Sequence, residues 1–184
     1  MRLETDRLVL HELSWNDLDT IHAFHSIPDV AKFNTIGIPE DVGVTKNIIK
    51  GAIEDQNNKP RSIYGWSVRL KLDNTFVGET GMSPSNDRFK RGEIHYHITP
   101  DLWGQGYGTE IAKRLIKFGF EDLKLHRIEA GVATNNMGSI RVLEKSGMQR
   151  EGIRRGILPI RGEWCDNYMY AILEGDYFQK EHSD

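Results

Sequence analysis

The chain has 184 residues, with 24 lysines and arginines against 27 aspartates and glutamates, a formal net charge of −3. Hydrophobic residues make up 38% and charged residues 28%. One compact domain spanning 1–184 is therefore expected, and a disordered chain, a membrane span and a dominant basic footprint for nucleic acid are excluded.

The charged opening Met1-Arg2-Leu3-Glu4-Thr5-Asp6-Arg7 lacks the apolar core of a signal peptide, so a cytoplasmic location with no membrane partner is expected. Residues 7–13 then read as an opening strand. Ser14 offers an N-cap with Asp17 three positions on, ahead of a helix running to about Phe24. Pro28 and Asp29 interrupt the pattern, and a second helix is expected over 42–55, ended by the polar turn at 56–60. Residues 63–70 and 75–81 read as a hairpin turning at Asp73-Asn74, and 92–98 as a third strand. In that strand Glu93, His95 and His97 share one face by alternation. Two histidines without a clear third partner do not define a metal site, so no metal is expected.

Past Pro100 the texture changes to Trp103-Gly104-Gln105-Gly106-Tyr107-Gly108-Thr109, followed by a helical pattern to about Leu123. Glycines before a helix permit positive φ and let successive N–H groups converge on an anion, with the helix dipole adding to the attraction. The spacing is neither the dinucleotide fingerprint nor a P-loop. On local grounds this turn reads equally as a tight strand-to-helix connection. A strand over 127–133, a short helix over 139–146 stopped by Gly147, and strands over 148–153 and 167–173 complete an α/β layered alternation. The helix after the glycine turn is the crossover between two strands that should be parallel. Cys165, the one cysteine, precludes an internal disulfide and reads as a packed small residue rather than a nucleophile. The arginine and lysine groups at 88–91 and 150–155 read as solvated loop faces, so direct nucleic-acid binding is not expected.

Four segments together resemble the GNAT superfamily of N-acetyltransferases, and within it the RimJ/RimL type. They are Leu3-Glu4-Thr5-Asp6-Arg7-Leu8-Val9-Leu10, the glycine turn through Glu110, Asn136-x-x-Ser139 with Val142-Leu143-Glu144-Lys145-Ser146-Gly147-Met148, and Gly162-Glu163-Trp164-Cys165-Asp166 before Tyr170-Ala171. The resemblance implies a mixed, mostly antiparallel twisted sheet with a splayed central parallel pair, flanked by helices. It implies acetyl-CoA as co-substrate, with pantetheine along Ile98 and Thr99. Pyrophosphate would lie on the N–H groups of Gly104, Gln105, Gly106, Tyr107, Gly108 and Thr109. Asn136 is expected to hold the cofactor's amides, and Ser139 to serve the leaving thiolate; helix capping is the alternative for both. Glu93 is the first candidate for the base, with His95 and His97 behind it, and a half-exposed strand face is their bland alternative. Two positions depart from common members: Trp103 stands where many have Gln or Arg, and Leu158 where some have a glutamate.

Attack of a neutral amine on a thioester passes through a tetrahedral intermediate and expels a thiolate, so it needs a carbonyl-polarising donor and a donor for sulfur. An α-amine, with pKa near ~8 against ~10.4 for lysine, depends less on a strong base. The type thus implies a protein N-terminal α-amine, of the ribosomal-protein type, as acceptor. A small amine such as a polyamine, aminoglycoside or toxin, and a non-catalytic acetyl-CoA-binding module, are the alternatives. Loops at 34–39, 83–91 and 157–164 are expected to line the acceptor pocket, and a homodimer is compatible with the type.

Overall fold

The computed structural model describes residues 1–85 and 88–181. Eight strands form one sheet: β1 (Arg2–Glu4), β2 (Leu8–Glu12), β3 (Tyr64–Leu70), β4 (Phe76–Pro84), β5 (Arg91–Ile98), β6 (Arg127–Ala133), β7 (Gln149–Ile160) and β8 (Glu163–Leu173). Their spatial order is β1-β2-β3-β4-β5-β6-β8-β7, and every neighbouring pair is antiparallel except β5 and β6. Among the described residues there are six α-helices: α1 (Leu18–His25), α2 (Pro28–Ala31), α3 (Val42–Glu54), α4 (Tyr107–Lys117), α5 (Met137–Lys145) and α6 (Glu174–Glu181). The mixed, mostly antiparallel sheet and the α4 crossover stand as the sequence implies.

Alternation decides which side chains each face buries. Tyr64, Trp66 and Val68 of β3, Ile94 of β5 and Ile128, Ala130 and Val132 of β6 all enter the main core. Helix α4 meets them with Ile111, Ala112, Leu115 and Ile116, a seam at helical spacing, and α5 adds Ile140 and Leu143. Each large apolar side chain so buried contributes roughly 1.5–3 kcal/mol relative to exposure. The opposite face carries a smaller cluster of Leu13, Ile21, Ile49 and Ala52, from the β2–α1 junction, α1 and α3. Close approach there depends on Gly65, where a Cβ would stand 2.8 Å from Ala52 and 2.9 Å from Leu13.

The parallel pair is short. Strand β5 is in register with β6 only at Arg91↔Arg127, Gly92↔Ile128 and Glu93↔Glu129. Beyond that vertex β5 stays paired with β4 as far as Ile98, and β6 stays paired with β8 as far as Ala133. Each half of the sheet follows its own twist, and a V-shaped gap opens between them.

Several local expectations need correction. Pro28 does not merely interrupt: it opens α2 from its first turn, where the missing N–H costs nothing. Helix α1 is preceded by a 3-10 turn, Trp15–Asp17, with the Ser14 N–H and hydroxyl both donating to Asp17 Oδ2 at 3.0 and 2.8 Å. The helix expected to reach Leu123 changes at Phe118–Asp122 into a π-helical turn. The two late strands are longer than expected and form one arm, so 157–164 is strand and tight turn rather than open loop. Arg161 (φ 52°) and Gly162 (φ 83°) both take left-handed backbone at its tip, as a two-residue hairpin turn of this kind requires. The tip reaches across to the end of α2, where Arg161 Nη2 donates to the Ala31 carbonyl.

Candidate active site

The gap has two lips and two faces, and the parity of β5 sorts the candidates between them. Even-numbered residues face α4 and α5; odd-numbered residues face the side that carries α1 and α3.

On the α4 side, Gly104 (φ 76°) and Gly106 (φ 85°) hold the turn in conformations that side chains resist. Gly106 is the N-cap of α4 and offers no capping side chain. The first backbone bond of the helix runs from the Glu110 N–H to the Gly106 carbonyl. Among the described residues, the N–H groups of Gly104, Gln105, Gly106, Tyr107, Gly108 and Thr109 have no hydrogen-bond acceptor. A fan of free donors at a positive helix end is an anion seat. Gly108 lets α4 close on its neighbours, since a Cβ there would stand 3.0 Å from Val142 and 3.2 Å from Ile98.

Arg7 fastens this turn to the N-terminal hairpin, although sequence reasoning found no cation beside the loop. Its Nε donates to Glu110 Oε2 at 2.7 Å and its Nη1 to the Gln105 carbonyl at 3.1 Å, while the guanidinium lies 4.3 Å from the Tyr107 ring centre. Thr5 Oγ1 and the Arg7 N–H also bond to Glu110 Oε1. Burial would raise the Glu110 pKa, but these bonds outweigh it and hold the carboxyl below its usual value. Its negative charge at the helix start is thereby neutralised. Only the tertiary structure brings positions 7 and 110 together.

Along the β5 lip, the Thr99 N–H bonds to the Val77 carbonyl in β4. Strand alternation therefore turns the N–H groups of Ile98 and Tyr96 into the gap. Trp103 Nε1 donates to the Ile98 carbonyl at 2.7 Å, tying the turn to the strand. Thr99 Oγ1 is buried with no partner among the described residues.

Ser139 sits in the first turn of α5, on the opposite lip. Its N–H donates to Asn136 Oδ1 at 3.2 Å, so Asn136 is the helix N-cap. The Ser139 hydroxyl does not cap. It lies 2.8 Å from the Tyr96 hydroxyl, which also reaches the Ser139 carbonyl at 3.3 Å. Burial pushes the Tyr96 pKa up, against the opposing effect of Ser139, and keeps the phenol protonated. A hydroxyl pair thus bridges the gap. Tyr96 was missed from the sequence, although its parity, opposite to Glu93 and His95, was available as a signal.

The odd face holds different chemistry. Glu93 lies at the vertex, exposed, lining an open cavity of about 270 Å³ with Ser83, Glu129, Arg154 and Asn167. His95 lies against Gly81, where a Cβ would stand 2.3 Å from its ring. The ring is open to the groove on one side. Even so, surrounding protein and then the neighbouring His97 hold its pKa below the usual histidine value, with Glu79 pulling the other way. Next along, Glu79 Oε1 lies 2.7 Å from His25 Nε2 and 3.4 Å from His97 Nδ1. Burial alone would raise the Glu79 carboxyl, but hydrogen bonds from His25 and His97 outweigh it and hold it far below the usual range. Among the described residues no group of three His, Cys, Asp or Glu side chains is arranged to hold a metal.

Of the expected acceptor loops, residues 86 and 87 lie outside the described residues. The 34–39 loop is met by the arm: a Cβ on Gly37 would stand 3.1 Å from Arg161 Nη1. Leu158 pairs with Cys165 inside that arm.

A parallel pair parts above a glycine-capped helix whose start presents free N–H donors to an anion. The chain belongs to the family of the acetyltransferase (GNAT) domain, whose model matches residues 7–149. It is 31% identical over 179 residues to the uncharacterized N-acetyltransferase p20 of Bacillus licheniformis, covering 95% of this chain and 97% of that one. It shares its fold with the spermidine N-acetyltransferase of Vibrio cholerae, solved with CoA and spermine (TM-score 0.82, 21% identity, 95% and 99% coverage). It also shares it with the ribosomal-protein-S5-alanine acetyltransferase of Vibrio fischeri (TM-score 0.81, 20% identity, 96% and 98% coverage). The chain is an N-acetyltransferase that uses acetyl-CoA. No helix among the described residues is long and apolar enough to cross a membrane.

Proposed function

We propose that the enzyme acetylates the α-amino group of a peptide or protein N-terminus by direct attack on the thioester, as a RimJ/RimL-like transferase. The observation that carries this reading is the division of labour across the gap. Anion donors and the Ser139–Tyr96 pair occupy one face, while Glu93 stands at the vertex on the other.

In this reading the N–H groups of Gly104, Gln105, Gly106, Tyr107, Gly108 and Thr109 hold the pyrophosphate. Ile98 and Thr99 line the pantetheine, with the unpartnered Thr99 hydroxyl as a further bonding group, and the Asn136 side-chain amide adds a donor beside it. The inward N–H groups of Tyr96 and Ile98 are aimed where carbonyl charge develops, which is where a donor counts most. The Ser139 hydroxyl, positioned by the neutral Tyr96 phenol, donates a hydrogen bond to the departing thiolate, which then takes its proton from solvent. Glu93 accepts the amine proton, and His95, held neutral, is the second acceptor for it. No metal takes part in these steps.

An α-amine suits this site because Glu93 is exposed rather than buried as a strong base, and an α-amine needs less help to be neutral at pH 7. The similarity to a spermidine enzyme and to a ribosomal-protein enzyme is one of fold and favours neither acceptor. The test follows thiol release from acetyl-CoA with peptides whose N-termini are free or blocked, each with one lysine. Release that requires the free terminus is expected. Equal release from blocked peptides, or release only with polyamines, overturns the α-amine reading.

A further inference from the structure

The cavity beside Glu93 has a charge pattern that specifies more than an amine. Apart from Gly92, which has no side chain, its strand residues lie on one face: Ser83 is opposite Glu93, Glu93 is opposite Glu129, and Arg154 is opposite Asn167 in the strand registers. Asn167 comes within reach because Gly131 has no side chain: a Cβ there would stand 2.7 Å from Asn167 Nδ2 and 3.3 Å from Oδ1.

Three observations bear on what the cavity holds. Asn167 is only 7% exposed, and its Oδ1 is buried with no hydrogen-bond partner among the described residues. Such an orphan acceptor at a cavity wall calls for an N–H from a ligand. Next, the two carboxylates are not equivalent. Glu129 accepts from Arg127 Nε at 2.6 Å, and Arg127 also binds Glu151, whereas Glu93 makes no ion pair among the described residues. Finally, Arg91 and Arg154 line the same cavity, and neither guanidinium makes an ion pair among the described residues. Outside the ion pairs, with Arg127 shared by Glu129 and Glu151, stand the Glu93 carboxylate and two guanidiniums, of which Arg91 also lies 5.4 Å from the Phe89 ring centre.

A polyamine would meet two unpaired cations here and a single free carboxylate. A head group with an amine and a nearby carboxylate satisfies every uncommitted group. Resting on the acetyltransferase reading above, we propose that the acceptor is such a zwitterionic head group. Its amine lies between Glu93 and Asn167 Oδ1, and its carboxylate meets Arg154, with Arg91 behind. The open cavity of about 270 Å³ has room for one residue, and its charge pattern rather than its size sets that residue apart from a polyamine. An acidic first residue of a peptide and a free acidic amino acid both present this chemistry.

The experiment compares kcat/KM for thiol release with tripeptides beginning in Asp, Ser or Lys, with free aspartate and with spermidine. The same series is run on Arg154→Glu and Asn167→Ala, each checked for an unchanged thermal midpoint. The wild-type enzyme is expected to favour the Asp peptide over the Lys peptide at least tenfold and to leave spermidine nearly untouched. Arg154→Glu should invert that order. Asn167→Ala should raise KM for every amine several-fold without altering the order. Turnover of free aspartate but of no peptide keeps the charge inference and overturns the protein-terminus reading. Equal rates with Asp and Lys peptides, or an order that Arg154→Glu leaves unaltered, overturn the inference while leaving amine acetylation intact. No turnover with any amine overturns both.

Discussion

The two faces of β5 carry different chemistry on residues one position apart. The even face, with Tyr96 and Ile98, is roofed by α4 and α5, and its groups are backbone donors and neutral hydroxyls. The odd face carries titratable side chains, Glu93 at an open cavity and then His95 and His97, the latter against buried Glu79. A neutral, preorganised face suits a large anionic co-substrate whose charge sits at the helix start, while a titratable, hydrated face suits an amine that must lose a proton.

The sharpest way to break this comparison is at the helix start. Gly106→Val forces a β-branched residue to φ near 85° and should remove measurable acetyl-CoA binding by calorimetry. Unchanged affinity would show that the even face is not the donor's. Next in size, Ser139→Ala and Tyr96→Phe should each lower kcat by about tenfold to a hundredfold, on the scale of a positioned hydrogen-bond donor. Because the two hydroxyls are 2.8 Å apart, the double variant should lose little more than the worse single one. Additive losses would separate their roles.

On the odd face the largest effect should be on stability. Glu79 is 7% exposed and joined to two imidazoles, so Glu79→Ala should cost about 2–4 kcal/mol in denaturant unfolding. Its carboxyl is depressed in the folded state. The stabilisation from ionisation is therefore present above the unfolded value near ~4.3 and is lost as pH falls toward the folded value. Glu79→Gln should flatten the acid limb of the stability profile; an unaltered limb would mean the carboxylate is not the group titrating. Smallest of all, Arg7→Ala should raise KM for acetyl-CoA about fivefold, ~1 kcal/mol, with kcat nearly constant, because it loosens the loop rather than removing a donor.

Much of the site can be read in sequence because its chemistry is backbone chemistry. Glycines at 104 and 106 announce a left-handed turn before a helix wherever they occur, and period-two alternation places Glu93 and His95 together without any tertiary information. The groups that escape sequence reading are those joined over long separations: Arg7 to Glu110, Tyr96 to Ser139, His25 to Glu79, and Asn167 beside Gly131. Each reads locally as an ordinary surface charge, strand aromatic, helix histidine or strand amide. The arm was misjudged for a related reason: the bulges between Arg150 and Gly152 and between Arg154 and Leu158 break the alternation by which a strand is recognised.

The sequence by itself determined the layered α/β class, the parallel crossover and the glycine turn before α4, since hydrophobic period, glycine conformation and helix polarity are local properties of the chain. Tertiary structure alone decided where β5 and β6 part, and which hydroxyl backs Ser139. It also decided which carboxylate and which arginines stay uncommitted around the cavity. Those outcomes depend on the competing twist of two half-sheets and on pairings between residues tens of positions apart, and no local pattern encodes either.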